Sequence, residues 1–355
     1  MSERFITSEL NAREESVDQG LRPQSFAEFP GQQAVKDRLA IMIEAAKARG
    51  EALSHVLLCG PPGLGKTTLA TIIANSLGAS LKATSGPVIE KPGDLAGLLT
   101  SLNEGDILFI DEIHRLPLHI EEYLYSAMED HFIDIMLEQG VGARSVRLTL
   151  PPFTLIGATT RQGKLSKPLR SRFTMMCRLS YYSVEELTKI LGRSLTILNQ
   201  QKRASKLPDI GSEGNGLAMI ARRSRGTPRI ANNLLRWVRD YTQVKRSEVI
   251  TGELADGALT MLDIDQDGLD DMDNRILETL LVKYHGRAVG LKSLAVAVGE
   301  EESTIEDVYE PYLIQEGYII RTPAGRVATD KARQRFGLAP LGPGVASSGQ
   351  LPLGI

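Results

Sequence analysis

The sequence predicts an α/β protein in which a parallel sheet covered by helices is followed by a small all-α unit and a C-terminal winged helix. Three observations predict it: short apolar runs alternate with longer helical patterns up to about residue 182; strand signals then stop; and three helices followed by a two-stranded ribbon occupy the stretch before residue 338. Strands buried on both faces read as unbroken apolar runs, and intervening helices make the crossovers that parallel strands require. At roughly 150 residues per domain, 355 residues accommodate two or three units. The expected division is a flexible N-terminus at 1–15, a large domain at 16–182, a small helical domain at 183–256, the winged helix at 257–337 and a disordered tail at 338–355.

In the large domain, residues 55–59, 107–110 and 154–158 read as buried strands, and 35–48, 66–78 and 120–130 as helices. Residues 132–137 and 144–150 read as a hairpin with Val146, Leu148 and Leu150 on one face. The second unit opens with Ser183 and Glu186 at capping-box spacing, and Thr227 with Pro228 marks a further helix start. Residues 274–284, 291–299 and 303–317 read as the helices of the third unit, and 318–329 as two strands around a Pro/Gly turn. The polar stretch 200–216 reads as a surface loop, and the Gly, Pro and Ser content after 338 as a tail without fixed structure.

Composition excludes several classes. Hydrophobic residues at 42% and charged residues at 24% are those of an ordinary soluble protein, and no apolar run approaches the ~20 residues of a membrane span. The N-terminal segment carries acids and no apolar stretch, so a secretory signal is not expected. Two cysteines, Cys59 and Cys177, provide no disulfide framework, and a reducing cytoplasm fits. Net charge is −3, but residues 251–310 hold 15 acids against four bases, whereas 311–340 hold five bases against two acids. Such a swing is compatible with a solvated surface of uneven charge or with a small, placed contact to a polyanion.

The chemistry concentrates at residues 60–67, Gly-Pro-Pro-Gly-Leu-Gly-Lys-Thr, placed between an expected strand and an expected helix. Gly60, Gly63 and Gly65 let backbone N–H groups wrap phosphates, and the helix N-terminus favours negative charge. Lys66 offers a charge to the outer phosphates, Thr67 a hydroxyl for magnesium, and Thr68 a contact to the inner phosphates. Forty-five residues after Lys66 an apolar strand ends in Asp111 and Glu112. Asp111 can hold the magnesium shell through water and Glu112 can polarise the attacking water, so ATP with Mg2+ and nucleotide hydrolysis are expected. His114 reads as a loop or helix-start residue and Cys59 as core.

The order of these motifs, continued by residues 157–161, 168–173 and 226–229, resembles the AAA+ ATPases. Within them the chain is similar to the RuvB family of Holliday-junction branch-migration motors, through residues 21–32, 128–136, 150–161 and 305–326, over about 16–337. That resemblance implies that Leu21, Arg22 and Tyr182 border the adenine, and that Glu129, Asp130 and His131 belong to the ATP-binding set. It implies sensor 1 at Thr160 or the adjacent Thr159, sensor 2 at Arg229, and an arginine finger at Arg172, with Arg170 competing, that reaches a neighbouring subunit's ATP. A finger acting between subunits implies a ring, in this family a homo-hexamer.

The third helix of the winged unit carries Glu306, Asp307 and Glu310, which would repel phosphates, so the bases on and after the ribbon are the expected DNA contacts. A protein-docking winged helix is the competing reading. The resemblance assigns the contact to Arg321 and Arg326, with Glu302 standing where relatives often carry arginine. It also implies that the hairpin near Val146 and Leu148 docks RuvA, against the alternative of a core-facing strand, and that RuvC acts indirectly. The activity implied is ATP-driven migration of four-way junctions in recombination and repair, in a bacterial cytoplasm and near the nucleoid. A clamp-loader-like ATPase and a nucleotide-regulated DNA-binding adaptor are the competing classes.

Overall fold

The computed structural model describes residues 20–136, 145–201 and 209–340. The expectations for 1–15 and 341–355, and those for Leu137, Arg144 and 202–208, lie outside these residues. The chain forms two compact units: one runs to Ile210 and takes in Gly226–Asn233, and the other comprises Gly211–Arg225 and everything from Leu234 onward.

The first unit is built on five parallel strands, β1 (Val56–Cys59), β2 (Leu81–Ser85), β3 (Ile107–Asp111), β6 (Thr154–Thr159) and β7 (Met175–Arg178), in the order β2-β3-β6-β1-β7. The three central strands are those expected from their apolar runs, and each is buried almost throughout. The edge strands β2 and β7 were not expected: their residues are mostly half-exposed or exposed, so the sequence there carries no continuous apolar signal. Helix Gln33–Arg49 precedes β1, and helices Lys66–Leu77, Pro92–Thr100 and Leu118–Glu129 lie between the later strands. Leu57, Leu108, Ile110, Phe153 and Leu155 belong to one continuous core.

Chain order and sheet order differ, and that difference makes the site. β6 lies between β3 and β1, so the ends of β1, β3 and β6 become neighbours although Cys59, Asp111 and Thr159 are far apart in sequence. All three carboxyl ends open on one edge of the sheet, the place where open α/β sheets bind ligands. Strands β4 (Phe132–Met136) and β5 (Ser145–Thr149) form the expected antiparallel hairpin as a separate ribbon, with Ile133 opposite Leu148 and Ile135 opposite Val146. Leu150 is buried, Leu148 half-buried and Val146 exposed, so the apolar face divides between core and surface.

Both bonds of the capping box form where the long helix Val184–Gln201 begins: Ser183 N–H donates to Glu186, and Glu186 N–H donates to the Ser183 hydroxyl at 3.2 Å. In the second unit, helix Gly216–Arg222 packs on helix Gly252–Thr260. Strands β8 (Gly211–Ser212) and β9 (Val249–Ile250) add a two-residue parallel pair, so the region expected to be wholly helical carries a short bridge too small to leave a sequence pattern. Helix Asp271–Glu278 continues through a π turn to Lys283, and helices Leu291–Val298 and Glu302–Gln315 follow, the last with a π turn at Ile305–Tyr309. β10 (Ile319–Thr322) and β11 (Gly325–Ala328) form the wing, which a bridge from Val289 to Arg326 ties to the helices. Gly325 has φ +134°, and a Cβ there would meet the Val289 carbonyl, so only glycine allows that approach. A closing helix, Asp330–Arg335, was not expected.

The acidic and basic halves of this unit partly neutralise each other. Arg335 pairs with Asp265 and Asp267, and Arg225 with Asp270 and Asp273. Glu310, read from sequence as an outward charge, is fully buried and binds both Arg321 and Arg326. Residue counts therefore overstate the free positive charge of the wing.

Candidate nucleotide site

A cleft of about 220 Å³ opens beside the carboxyl ends of β1, β3 and β6. The loop after β1 forms its floor. Gly63 and Gly65 have φ of +77° and +96°, and helix Lys66–Leu77 starts immediately after them. A Cβ on Gly63 would lie 2.7 Å from the Thr227 methyl and 3.0 Å from the Arg229 Cβ. Glycine is thus needed both for the turn and for the approach of the 226–229 segment.

Lys66 is buried, and its ammonium donates to the carbonyls of Gly60 and Pro61 at 2.8 and 2.9 Å. Burial lowers its proton affinity below the ordinary lysine range; Asp111 and Glu112 pull it back up, and Arg229 pushes it down again. Four charged groups therefore share one small volume, a field suited to a polyanion with its counter-cation.

Leu21, Arg22, Gly63, Gly65, Lys66, Thr67, Thr68, Asp111, Glu112, Thr160, Tyr182 and Arg229 all line this cleft. Tyr182 is buried and donates its hydroxyl to the Leu64 carbonyl, and burial pushes that phenol far above its usual range. Gly60 contributes its carbonyl to Lys66 rather than a wall. Thr160 lines the cleft, whereas Thr159 is fully buried with its hydroxyl bonded to His114 Nδ1 at 2.9 Å. Glu129, Asp130, His131 and Arg172 are not among the lining residues. Arg172 binds Glu129 at 2.8 Å, donates to the Pro168 carbonyl and lies over the Tyr125 ring.

Several lining residues escaped sequence reasoning. Arg193 on helix Val184–Gln201 donates to the Leu21 carbonyl at 2.7 Å and to Glu28 at 2.8 Å, pinning the segment that carries Leu21 and Arg22. Ile190, a helical turn earlier, lines the same wall, as do Phe29 and Asn232. A register three residues apart on one helix face was the only signal available for Ile190 and Arg193. His114, read as an unremarkable loop residue, has a ring with 6% exposure 3.3 Å from Glu112 Oε2.

Comparison with known proteins separates this cleft from other phosphate-loop sites. The family described as "Holliday junction DNA helicase RuvB P-loop domain" matches residues 21–179, the RuvB AAA lid domain matches 182–265, and the RuvB C-terminal winged helix domain matches 266–337. The chain is 57% identical over 336 residues to the Holliday junction branch migration complex subunit RuvB of Prosthecochloris aestuarii, covering 95% of each chain. The chain belongs to the RuvB family. The Salinibacter ruber RuvB subunit is 55% identical over 93% of each chain. A solved Thermotoga maritima RuvB branch-migration motor matches with a TM-score of 0.80 at 47% identity, covering 91% of this chain and 100% of that one.

The cleft draws on two of the matched regions. The P-loop region carries Lys66, Asp111, Glu112 and Thr160, and the lid region carries Tyr182 and Arg229. The winged-helix region carries Arg321 and Arg326. Among the described residues, no helix is long and apolar enough to cross a membrane.

Proposed function

We propose that this chain hydrolyses ATP to drive branch migration of Holliday junctions, as a ring-forming motor on duplex DNA. The observation that carries the reading is the convergence of Lys66, Thr67, Asp111, Glu112, Thr160 and Arg229 on one cleft in a RuvB-family chain. Phosphoryl transfer needs positioned charge more than covalent chemistry, and this set supplies it. Lys66 and Arg229 neutralise the outer phosphates, Glu112 orients and polarises the attacking water, and Thr160 contacts the γ-phosphate or that water. Thr160 suits sensor 1 better than Thr159, whose hydroxyl is committed to His114.

Thr67 and Asp111, both hard oxygen donors on the cleft wall, fit Mg2+, with Asp111 acting through water. The ion would neutralise charge developing between the β- and γ-phosphates. Leu21, Arg22 and Tyr182 would hold the base.

Arg172 would act on the ATP of a neighbouring subunit, with Glu129, Asp130 and His131 on the same face, in a homo-hexamer. Arg321 and Arg326 would hold the DNA backbone without reading sequence. The exposed Val146 and half-buried Leu148 would dock RuvA, with RuvC acting on the same junction, in a bacterial cytoplasm.

The test is ATP-driven dissociation of a synthetic four-way junction, with and without RuvA, for wild type, Lys66→Ala, Glu112→Gln and Arg172→Ala. Wild type is expected to migrate the junction fastest with RuvA, and each variant to lose that activity. Dependence on a sliding clamp without junction preference would make the chain a clamp-loader-like ATPase. ATP binding with turnover indifferent to Glu112 would make it an adaptor.

A further inference from the structure

We propose that Asn232 contacts the nucleoside part of the bound nucleotide, its side-chain amide oxygen accepting a hydrogen bond from the base or the ribose. The inference rests on the reading of the cleft as an ATP site and adds to it a residue that tells one nucleoside from another.

Helix Pro228–Val244 starts on the phosphate loop, where both Thr227 and Arg229 approach Gly63. Pro228, Arg229 and Asn232 line the cleft, a spacing that sets all three on one side of the helix. Ala231, Leu234 and Leu235 are buried and form its packed side. Asn232 therefore stands one turn beyond Arg229, about 4.5 Å further along the helix axis from the phosphate loop. Ile190 and Arg193 line the same cleft, and Arg193 holds the carbonyl of Leu21, another lining residue.

Asparagine is a poor helix former, because its short amide competes for backbone groups. In Asn232 the side chain gains no hydrogen bond to offset that: Oδ1 is buried and has no partner. Among the described residues that line the cleft, Asn232 is the one with such an atom. A buried carbonyl oxygen without a donor is costly and rare in native structures. A ligand in the cleft can supply the donor, since the terminal torsion of asparagine is soft and can turn the oxygen towards it. The chemistry of the nucleotide narrows the choice. Ionised phosphate oxygens are acceptors, so the triphosphate has nothing to give Oδ1. The donors of ATP are the 6-amino group of adenine and the 2′- and 3′-hydroxyls of ribose, all on the nucleoside. A side chain set one turn away from the phosphate loop is placed for that part of the ligand.

Calorimetric titration of the full chain decides the matter, for wild type, Asn232→Leu and Asn232→Asp. The ligands are ADP, its 2′-deoxy and 3′-deoxy forms, the purine riboside diphosphate that lacks the 6-amino group, and tripolyphosphate. Asn232→Leu is expected to bind ADP about tenfold more weakly than wild type while its affinity for tripolyphosphate is unchanged. It should also bind ADP and one of the three analogues alike, where wild type prefers ADP about tenfold. That analogue identifies the donor, and so separates base from ribose. Asn232→Asp keeps an acceptor oxygen and should keep the preference. Without nucleotide, Asn232→Leu should unfold at a higher denaturant concentration, because leucine has the shape of asparagine and leaves no oxygen unpaired. Unchanged ADP affinity in Asn232→Leu, a loss that extends to tripolyphosphate or is equal for ADP and all three analogues, or a loss accompanied by a lower unfolding midpoint would overturn the proposal. Wild type binding ADP no more tightly than tripolyphosphate would instead overturn the ATP site itself, and the inference with it.

Discussion

The Arg172 guanidinium lies 2.8 Å from the Glu129 carboxylate of its own chain, and neither residue lines that chain's nucleotide cleft. Tyr125 stacks beneath the guanidinium and the Pro168 carbonyl accepts from it, so the side chain is held outside that cleft by three contacts. Under the proposed function, a finger so placed would serve a neighbour. Arg172→Ala is expected to lower ATP turnover about 10³-fold. Mixing Arg172→Ala with Lys66→Ala subunits should restore part of the rate, because some interfaces then pair an intact loop with an intact finger. A titration of mixed ATPase activity measures this, and strictly additive rates would show that Arg172 acts within its own chain.

In the wing, Arg321 and Arg326 are cross-strand partners, an arrangement that like charges alone would disfavour. Glu310 resolves it by binding both. Glu310→Gln removes the buried charge that holds two cations and should destabilise the winged helix by about 3 kcal/mol, read as a lower denaturation midpoint. The Arg321 side chain is 47% exposed and that of Arg326 15%. Arg321→Ala should therefore reduce the slope of log affinity against log salt by about 0.9 on duplex DNA. Arg326→Ala should act more on stability.

Gly63→Ala is expected to weaken nucleotide binding about tenfold or more, because the φ of +77° strains any Cβ by about 1–3 kcal/mol and the new methyl collides with Thr227. Gly93→Ala is the contrast. Gly93 lies in helix Pro92–Thr100 with open space around it, and the same change there should stabilise by about 0.5–1 kcal/mol and leave binding unchanged. Fluorescent-nucleotide titration and chemical denaturation separate the two outcomes.

Cys59 and Cys177 are both buried, and burial raises both thiols, Cys177 to about 11. The thiolate is the reactive form. Neither should react with a thiol-specific disulfide reagent near neutral pH in the native protein, and both should react after denaturation. Rapid labelling of the folded chain would mean that the strand ends open readily.

The central strands were legible because β1, β3 and β6 are buried on both faces and so announce themselves as apolar runs. Edge strands β2 and β7 were not, since half-exposed strands lack that run. The phosphate loop was legible because its glycines are demanded by backbone geometry, which spacing alone records. Arg193 and His114 were not. Each matters through a partner more remote along the chain, Leu21 for one and Thr159 for the other. The charge counts in the winged helix misled for the same reason, as Glu310 lies buried between arginines.

By itself the sequence determined the chemistry on offer: a loop whose glycines can wrap phosphate, an acid pair closing a strand, and arginines at motif positions. These follow from local rules of backbone freedom and periodicity. Only the tertiary structure decided which of those groups share a cleft. Sheet order sets β6 between β3 and β1, so the Thr159 hydroxyl meets His114 while Thr160 lines the cleft, and Arg172 is kept on Glu129 outside it. Pairings between distant residues are determined by packing, which no local pattern records.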